Sequence, residues 1–346
     1  MALLIAHRGA SGYRPEHTLE AYALAVALGA DVIEPDLVAT RDGVLVARHE
    51  NEISGTTDVA HHAAFADRRT TKAVDGHDVT GWFTEDFTLA EIKTLRAVER
   101  LPALRPGSTV YDGRFEIPTL DEILALTARL STERGRPVGL YPETKHPSYF
   151  AEFGLPLEPP LLDALHGAGY RTRTAPVWIQ SFEVGNLEHL RRATDLRLVQ
   201  LAAPGERPWD RSTPYGSMLR PDGLARIATY ADAIGVARAL VLPDDAPLDR
   251  PTALVGHAHT AGLDVHVWTV RAENAFLPPA LRRGDEPAAW GDVAALVRAL
   301  VQAGVDGLFA DQPDLAAAAL DRAPPAVLQR PDGSAPPGAE TERGRA

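Results

Sequence analysis

Residues 31–50, with the sequence DVIEPDLVATRDGVLVARHE, contain two apolar segments joined by a very short connection. Residues 32–38 and 44–49 are rich in valine and other large aliphatic residues, and both are predicted to be strands. The connection at residues 39–43 is too short for a crossover helix, and its Asp42-Gly43 pair is typical of a hairpin turn. We therefore expect the second strand to run antiparallel to the first.

Outside this hairpin, short β-rich segments alternate with amphipathic ones. Seven further strands are predicted at residues 3–7, 138–143, 177–181, 196–201, 240–242, 265–270 and 305–310. The main helices are predicted at residues 18–28, 160–168, 185–193, 222–234, 251–261, 292–303 and 313–321, with further helix starts at the capping boxes of Thr88 and Thr119. Together with residues 32–38 these segments make eight β-α units, which predicts an α/β protein with a TIM (β/α)8 barrel.

Two regions depart from this alternation. Residues 51–116 are rich in Asp, Thr, Arg and Gly, with one short helix predicted near residues 88–97. We interpret them as an inserted subdomain after the second barrel strand, above the barrel mouth, where long insertions usually carry function or specificity. Residues 323–346 are rich in Pro, Gly, Ala and charge and are predicted to be a disordered tail, which leaves residues 1–322 as one barrel domain.

Composition excludes several classes of protein. The 346 residues include no cysteine, so disulfides and thiolate metal sites are excluded. The formal net charge of −12 argues against nonspecific nucleic-acid binding, which requires a basic surface. No apolar run is long enough to span a membrane, and the first residues lack the basic start of a signal peptide. These features predict a cytoplasmic protein without stable membrane anchoring, whose oligomeric state stays open.

Acidic side chains recur at the carboxyl ends of predicted barrel strands, where barrel enzymes carry their catalytic residues. Glu34 and Asp36 are two positions apart on one strand and so share a face. Buried together they would repel each other unless a hard divalent cation neutralised them; the alternative is a solvated pair at a sheet edge. Glu143 and Lys145 repeat the spacing, so that Glu143 completes a metal set, unless the two form only a surface ion pair.

Histidines and donors lie at the same strand ends. His7 and His49 are candidates for a general acid and base, although each alone could be a structural histidine. Arg8, with the glycines after it, could surround a phosphate, and Lys145 could hold an oxyanion. Gln180 and Trp268, which end or lie in further strands, are candidates for binding the substrate. Trp268 belongs either to the core or to the wall of an alcohol pocket. This set suits cleavage of a phosphodiester.

The pattern resembles the glycerophosphodiester phosphodiesterase family, in the branch typified by the bacterial periplasmic enzyme. The matching residues, in the family's order, are His7-Arg8-Gly9, Pro15-Glu16-His17-Thr18, Glu34-Pro35-Asp36, His49, Glu143-Thr144-Lys145, Gln180-Ser181-Phe182, Trp268-Thr269-Val270 and Asp306-Gly307-Leu308-Phe309-Ala310-Asp311. Two residues depart from the family's pattern. Glu50 follows His49 where aspartate is usual, and Gly55 stands where arginine is frequent.

The resemblance implies a barrel with an inserted subdomain and one divalent metal ion held by Glu34, Asp36 and Glu143. The expected ion is Ca²⁺, with Mg²⁺ as the alternative. It further implies that His7 and His49 act as acid and base, and that Arg8 and Lys145 contact phosphate. The implied reaction converts a small glycerophosphodiester into glycerol 3-phosphate and an alcohol, through attack by the glycerol 2-hydroxyl and a cyclic phosphate.

Two other readings stay open at this stage. A related barrel lipase of the phospholipase D type would make cyclic phosphates from choline lipids, but such enzymes are usually secreted with disulfides, and this chain has no cysteine. A catalytically silent binding module would be expected to have lost a histidine or a metal carboxylate, and this sequence keeps all of them.

Overall fold

The structure is a computed structural model that describes residues 2–322, so the tail predicted at residues 323–346 lies outside the described residues. Its strands are β1 (Leu3–His7), β2 (Val32–Glu34), β3 (Asp36–Ala39), β4 (Leu45–Ala47), β5 (Thr70–Val74), β6 (His77–Gly81), β7 (Gly139–Leu140), β8 (Glu143–Thr144), β9 (Trp178–Ser181), β10 (Arg197–Ala202), β11 (Ala233–Ala237), β12 (Asp264–Val270) and β13 (Gly307–Ala310). Its α-helices are α1 (Leu19–Ala27), α2 (Leu89–Ile92), α3 (Leu120–Arg134), α4 (Pro147–Glu152), α5 (Glu158–Gly167), α6 (Val184–Ala193), α7 (Tyr215–Met218), α8 (Pro221–Ile227), α9 (Leu254–Thr260), α10 (Val293–Gln302) and α11 (Pro313–Ala319).

The parallel strands connect into a TIM-like barrel. β1 pairs with β13 on one side and with β2 on the other. β2 pairs with β7 and β3 with β8, and the strands from β8 to β13 then pair in chain order. Two barrel strands are interrupted, at Pro35 between β2 and β3 and at Pro142 between β7 and β8, because proline has no N–H to donate to the ladder. With each interrupted pair counted as one strand, eight parallel strands close the ring.

Alternation along the strands places the polar residues in a layer of their own. The inward-facing apolar side chains form a buried cluster, made of Ile5, Val32, Tyr141, Trp178, Val199, Ala233 and Phe309. Two residues further along five of these strands come His7, Glu34, Glu143, Gln180 and Asp311. Successive residues on one face of a strand are two apart, so this polar layer stacks on the apolar layer at the carboxyl ends of the strands.

The predicted hairpin at residues 32–49 is confirmed, because β3 and β4 are antiparallel neighbours with Leu37 opposite Ala47. The prediction of a strand at residues 240–242 is wrong, and so is the prediction of a long helix at residues 222–234. The structure has a 3₁₀-helix at Arg238–Leu240, a shorter helix α8, and the barrel strand β11 at Ala233–Ala237. β11 contains Gly235, which weakens its strand signal; a Cβ there would lie 2.5 Å from Leu201 Cδ2, so close packing with β10 requires the glycine.

Residues 51–116 form short elements outside the barrel strands. They contain 3₁₀-helices at Val59–His61, Ala63–Arg68, Thr84–Asp86 and Thr109–Tyr111, the helix α2, and the antiparallel hairpin β5–β6. The helix predicted near residues 88–97 is only one turn long. The hairpin was not predicted, although its turn at Asp75-Gly76, with φ of 48° and 76°, has the same Asp-Gly signal as residues 42–43.

The helices begin where their capping residues predict. The Thr88–Glu91 and Thr119–Glu122 capping boxes are both present, and α3 ends at Gly135 in the left-handed conformation with φ of 65°. The buried face of α3, which includes Ile123 and Leu126, joins the main hydrophobic core. Within residues 2–322, none of the helices has the length and apolar character needed to cross a membrane.

Candidate functional site

A cavity of about 110 Å³ opens at the carboxyl ends of the barrel strands. Eight of the nine residues singled out in the sequence line it, namely His7, Arg8, Glu34, Asp36, His49, Glu143, Gln180 and Trp268. The ninth, Lys145, lies beside it, because its Nζ is 2.9 Å from Glu143 Oε1 and 3.2 Å from His49 Nε2. The fold therefore brings together side chains that are up to 261 positions apart in the sequence.

Three carboxylates form a buried acidic cluster on one side of this cavity. One oxygen from each of Glu34, Asp36 and Glu143 lies within 4.8 Å of the others. Burial and the neighbouring Asp36 carboxylate raise the pKa of Glu34 well above its usual range, and burial raises that of Glu143 to about 8. Asp36 Oδ1 is buried and has no hydrogen-bond partner among the described residues. An all-oxygen donor set with an unsatisfied carboxylate oxygen fits a hard divalent cation.

Neighbouring groups fix the orientation of these carboxylates. Glu34 accepts hydrogen bonds from the backbone N–H of Arg8 at 2.8 Å and from Gln180 Nε2 at 3.0 Å. Asp36 Oδ2 lies 2.9 Å from His17 Nε2, and the other ring nitrogen of His17 is 2.7 Å from the hydroxyl of Tyr22. His17 belongs to the Pro15-Glu16-His17-Thr18 motif, but its place in the sequence predicts no role for it. In the structure it orients a member of the acidic cluster.

Each candidate catalytic histidine directs Nδ1 at a carboxylate. His7 Nδ1 is 2.7 Å from Asp311 Oδ1, and His49 Nδ1 is 2.5 Å from Glu50 Oε1. Burial and the nearby Arg8 lower the pKa of His7 to about 4, and burial, Arg8 and Lys145 lower that of His49 to about 3. Both rings are therefore neutral near pH 7. With Nδ1–H donated to a carboxylate, Nε2 carries the lone pair of each ring, and the Nε2 atom of His49 faces Lys145 Nζ at 3.2 Å.

The turn after β1 brings a guanidinium and a backbone N–H to the site. Arg8 has φ of 58° and Gly9 has φ of 87°, and a Cβ on Gly9 would lie 2.7 Å from the carbonyl carbon of Ala21. This sharp turn directs the Arg8 N–H at Glu34, while its side chain bonds Glu16 Oε2 at 3.1 Å. Arg8 Nε is 3.3 Å from Asp36 Oδ2. The Arg8 guanidinium thus lies beside the acidic cluster, where an anionic group could bind.

Aromatic rings form the apolar wall of the cavity. Trp268 and Phe182 meet edge to face with their ring centroids 6.0 Å apart, and both line the cavity together with Leu201 and Phe309. Trp268 Nε1 is buried without a hydrogen-bond partner among the described residues. Such a wall suits the carbon skeleton of a small alcohol, with one donor left to contact it.

Comparisons with known proteins agree with this geometry. The chain matches the glycerophosphoryl diester phosphodiesterase family over residues 7–315. A glycerophosphodiester phosphodiesterase of Arabidopsis thaliana is 36% identical over 321 residues, covering 89% of this chain and 82% of that protein. One from Haemophilus influenzae is 33% identical over 340 residues, covering 90% and 88% of the two chains.

Solved structures share the fold. A phosphodiesterase from Oleispira antarctica, in complex with the product sn-glycerol-3-phosphate, superposes with a TM-score of 0.61 at 20% identity and covers 93% of this chain and 97% of that one. A glycerophosphodiester phosphodiesterase from Agrobacterium tumefaciens gives a TM-score of 0.54 at 22% identity, covering 92% and 100%. Since the sequence match spans nearly the whole barrel and its relatives exceed 30% identity, this chain belongs to the glycerophosphoryl diester phosphodiesterase family, a family of phosphoric diester hydrolases.

Proposed function

We propose that this chain hydrolyses glycerophosphodiesters, such as glycerophosphocholine or glycerophosphoethanolamine, to glycerol 3-phosphate and an alcohol in a metal-dependent reaction. One observation carries the proposal: a buried acidic cluster shares a small cavity with two histidines, each held through Nδ1 by a carboxylate. The family membership and the product bound to the Oleispira antarctica relative support it. Such a reaction belongs to glycerol and phospholipid breakdown.

Glu34, Asp36 and Glu143 would hold the divalent metal. A cation bound there would neutralise negative charge that develops on the phosphoryl oxygens. Ca²⁺ is the ion expected from the resemblance, with Mg²⁺ as the alternative, and hard oxygen donors suit both. Arg8 and Lys145 would contact the phosphate, since both are cationic groups beside the cluster. Gln180 would keep Glu34 in place through its 3.0 Å hydrogen bond.

His7 and His49 would move the protons of the reaction. One imidazole Nε2 takes the proton from the glycerol 2-hydroxyl as its oxygen bonds phosphorus. The other histidine, which first gains a proton from water on its Nε2, gives that proton to the departing alcohol. The phosphorus–oxygen bond to the alcohol breaks, which leaves a cyclic phosphate. Water then opens the ring with the proton roles reversed and yields glycerol 3-phosphate. Trp268 and Phe182 would pack against the glycerol carbons and exclude water from the cavity.

A second cavity, of about 530 Å³, would receive the alcohol. It shares Glu143 and Phe182 with the first cavity and is also lined by Lys145, which contacts His49. Three further carboxylates line it, those of Asp75, Glu183 and Glu206, together with the ring of Trp209, which is 46% exposed. Carboxylates and an open aromatic face suit an alcohol that carries an ammonium group.

Residues 51–116 would act as the inserted subdomain that completes this second cavity. The turn of the β5–β6 hairpin supplies Asp75, whose Oδ2 is 2.6 Å from His146 Nδ1 and whose Oδ1 has no partner among the described residues. Gly76 lies directly under Trp209, because a Cβ there would be 2.8 Å from the indole ring. The hairpin and the connection after β10 therefore meet over the cavity, and together they are placed to select the head group.

The test is release of glycerol 3-phosphate from glycerophosphocholine by the purified protein, with calcium, with magnesium and with EDTA. We expect release with a divalent cation, none with EDTA, and none from the His7→Ala variant. A cyclic phosphate as the final product would favour a lipase-like reaction instead. Binding of metal and glycerol 3-phosphate without turnover of any diester would indicate a silent binding module.

A further inference from the structure

Two arginines of one loop outside the barrel bond the carboxylates that hold the two histidines of the site. We call residues 99–108 the arginine loop, and its Arg100 and Arg105 are only five positions apart. Each guanidinium bonds a carboxylate that in turn bonds one of the two candidate catalytic histidines. Nothing in the periodicity of the sequence marks these residues, because both lie in an irregular part of segment 51–116.

Arg105 holds the partner of His7. Its Nη2 donates to Asp311 Oδ2 at 2.5 Å, while Asp311 Oδ1 faces His7 Nδ1 at 2.7 Å. Its Nε donates to Glu273 Oε1 at 2.7 Å, and its Nη1 donates to the carbonyl of Ser11 at 3.0 Å. Arg105 is only 7% exposed, so these charge-assisted bonds form away from bulk water. Together with Arg271, whose Nε donates to Asp311 Oδ2 at 2.9 Å, Arg105 fixes the Asp311 carboxylate through the oxygen that does not face the imidazole.

Arg100 holds the partner of His49 in the same way. It donates to Glu50 Oε1 at 3.0 Å and to Oε2 at 2.6 Å, and Glu50 Oε1 is also the atom that faces His49 Nδ1. The other edge of its guanidinium bonds both oxygens of Glu16, at 2.7 and 2.8 Å, and Glu16 bonds Arg8. Burial alone would raise the pKa of Glu50, but the hydrogen bonds from His49 and Arg100 hold it well below its usual range.

The arginine loop has internal bonds that keep the two guanidinium groups in place. The backbone N–H of Arg105 donates to the carbonyl of Leu101 at 2.9 Å, and that of Ser108 donates to the carbonyl of Arg105 at 2.9 Å. Glu99 Oε1 accepts from the Leu101 N–H at 2.8 Å, and the Glu99 N–H donates to Asp112 at 2.7 Å. A loop closed on itself in this way can act as one rigid body.

We propose that the arginine loop is a positioning device for both catalytic histidines, with Arg100 acting through Glu50 on His49 and Arg105 acting through Asp311 on His7. The inference rests on the proposed function for the roles of the two histidines. Each carboxylate, fixed by its arginine, keeps the hydrogen on Nδ1, so that Nε2 is the nitrogen left to exchange protons with the substrate. Segment 51–116 thereby has two separate tasks: its hairpin faces the alcohol, while its arginine loop orders the groups that transfer protons.

The experiment compares Arg100→Gln, Arg105→Gln and Arg105→Lys with the control Arg114→Gln in the calcium-loaded protein. Arg114 belongs to the same segment and loses the same charge, but it is exposed and its guanidinium lies over the Tyr111 ring. Steady-state kinetics on glycerophosphocholine are recorded on variants that circular dichroism shows to be folded. We expect kcat to fall by roughly 10- to 100-fold in both glutamine variants, with KM changed much less, and Arg105→Lys to recover part of the loss.

Imidazole nitrogen NMR supplies a readout that does not depend on turnover. In the wild-type protein both rings should show the tautomer with hydrogen on Nδ1. Arg105→Gln should disturb the signals of His7 and leave those of His49, and Arg100→Gln should do the reverse. If folded glutamine variants match Arg114→Gln in kcat and in both imidazole spectra, the proposal is overturned. If the wild-type protein cleaves no diester, the proposed function fails, and the spectra still decide whether the loop orients the rings.

Discussion

Glu50 Oε1 lies 2.5 Å from Nδ1 of His49, the residue immediately before it in the chain. The resemblance to the family leads one to expect aspartate at this position. Here the longer glutamate reaches the adjacent ring while both of its oxygens also bond Arg100. Glutamate in place of the usual aspartate therefore still presents a carboxylate to the His49 imidazole. The other departure is Gly55, where an added Cβ would have no atom within 4 Å among the described residues.

Replacing Glu50 by glutamine should lower kcat on glycerophosphocholine by roughly 10- to 100-fold, because a neutral amide cannot hold Nδ1–H as a carboxylate does. Glu50→Asp should retain more activity than Glu50→Gln, since it keeps the charge. The measurement is kcat and KM for both variants beside Glu20→Gln, an exposed residue of α1. Equal kcat values for Glu50→Gln and Glu20→Gln would show that the carboxylate does not orient His49.

Removing one carboxylate of the acidic cluster should affect the metal-free and metal-loaded proteins in opposite ways. In the metal-free protein Glu34→Gln relieves repulsion among buried carboxylates, and Gln180 can rotate its free Oε1 toward the new amide. We expect unchanged or higher thermal stability without metal. A free calcium concentration of 100 times Kd stabilises a protein with one site by about 2.7 kcal/mol, and Glu34→Gln should lose this stabilisation.

Differential scanning calorimetry with EDTA and with a calcium series measures both effects. Glu20→Gln again serves as the control, because it also removes one carboxylate but lies outside the site. A Glu34→Gln protein that gains as much stability from calcium as the wild type would place the metal somewhere other than this cluster.

The polar layer at the strand ends could be predicted because alternation is a local property of the chain. Ile5 and His7, or Val32 and Glu34, are two positions apart, so the inward face of each strand shows in a few residues. The strand β11 escaped prediction because Gly235, which the packing against Leu201 requires, interrupts its pattern. There the tertiary contact overrides the local signal.

The contacts that orient the histidines could not be predicted in the same way. Arg105 and Asp311 are 206 positions apart, and Arg100 and Glu16 are 84 positions apart. A lone arginine in an irregular loop has no periodicity, so nothing near it in the sequence specifies its partner. Such pairs become visible only when the fold has brought the loop over the barrel mouth.

Stability should fall as the pH drops from about 6.5 to about 4, and His266 should contribute part of this change. Burial lowers the pKa of His266 to about 4 in the folded protein, where its Nδ1 is 2.6 Å from the Tyr141 hydroxyl. In the unfolded chain the pKa of this residue is about 6.5. Between these values the unfolded state binds more protons, so the free energy of unfolding rises with pH, by at most about 1.4 kcal/mol per pH unit from this residue.

The variant His266→Gln should show a shallower dependence on pH in this window, since it cannot titrate there. Urea unfolding at several pH values between 4 and 7 gives the slopes for the wild type, for His266→Gln and for His257→Gln, whose side chain is exposed on α9. The baseline stability of His266→Gln is free to differ, because only the slope is compared. A slope equal to that of the wild type would mean that His266 titrates normally in the folded protein.

Trp209 and Asp75 should control the choice of head group without affecting the proton transfers. Both line the second cavity, and among the described residues neither forms a hydrogen bond or ion pair with the acidic cluster or the two histidines. An ammonium group over an indole ring gains about 0.5–2 kcal/mol, so Trp209→Ala should lower kcat/KM for glycerophosphocholine by roughly 2- to 30-fold. Activity on glycerophosphoglycerol, whose alcohol is neutral, should change much less. Asp75→Asn should likewise lower kcat/KM for glycerophosphocholine more than kcat/KM for glycerophosphoglycerol.

The ratio of kcat/KM for the two diesters is the quantity to measure, because it cancels any general loss of active protein. Trp290→Ala is the matched control: its ring is also exposed, at 47%, but it packs on Tyr13, away from the second cavity. If Trp209→Ala and Asp75→Asn lower kcat/KM equally for both substrates, the cavity does not discriminate between charged and neutral alcohols. If neither variant changes kcat/KM for either substrate, the alcohol must leave the site by another route. The hairpin of segment 51–116 would then have no part in selectivity.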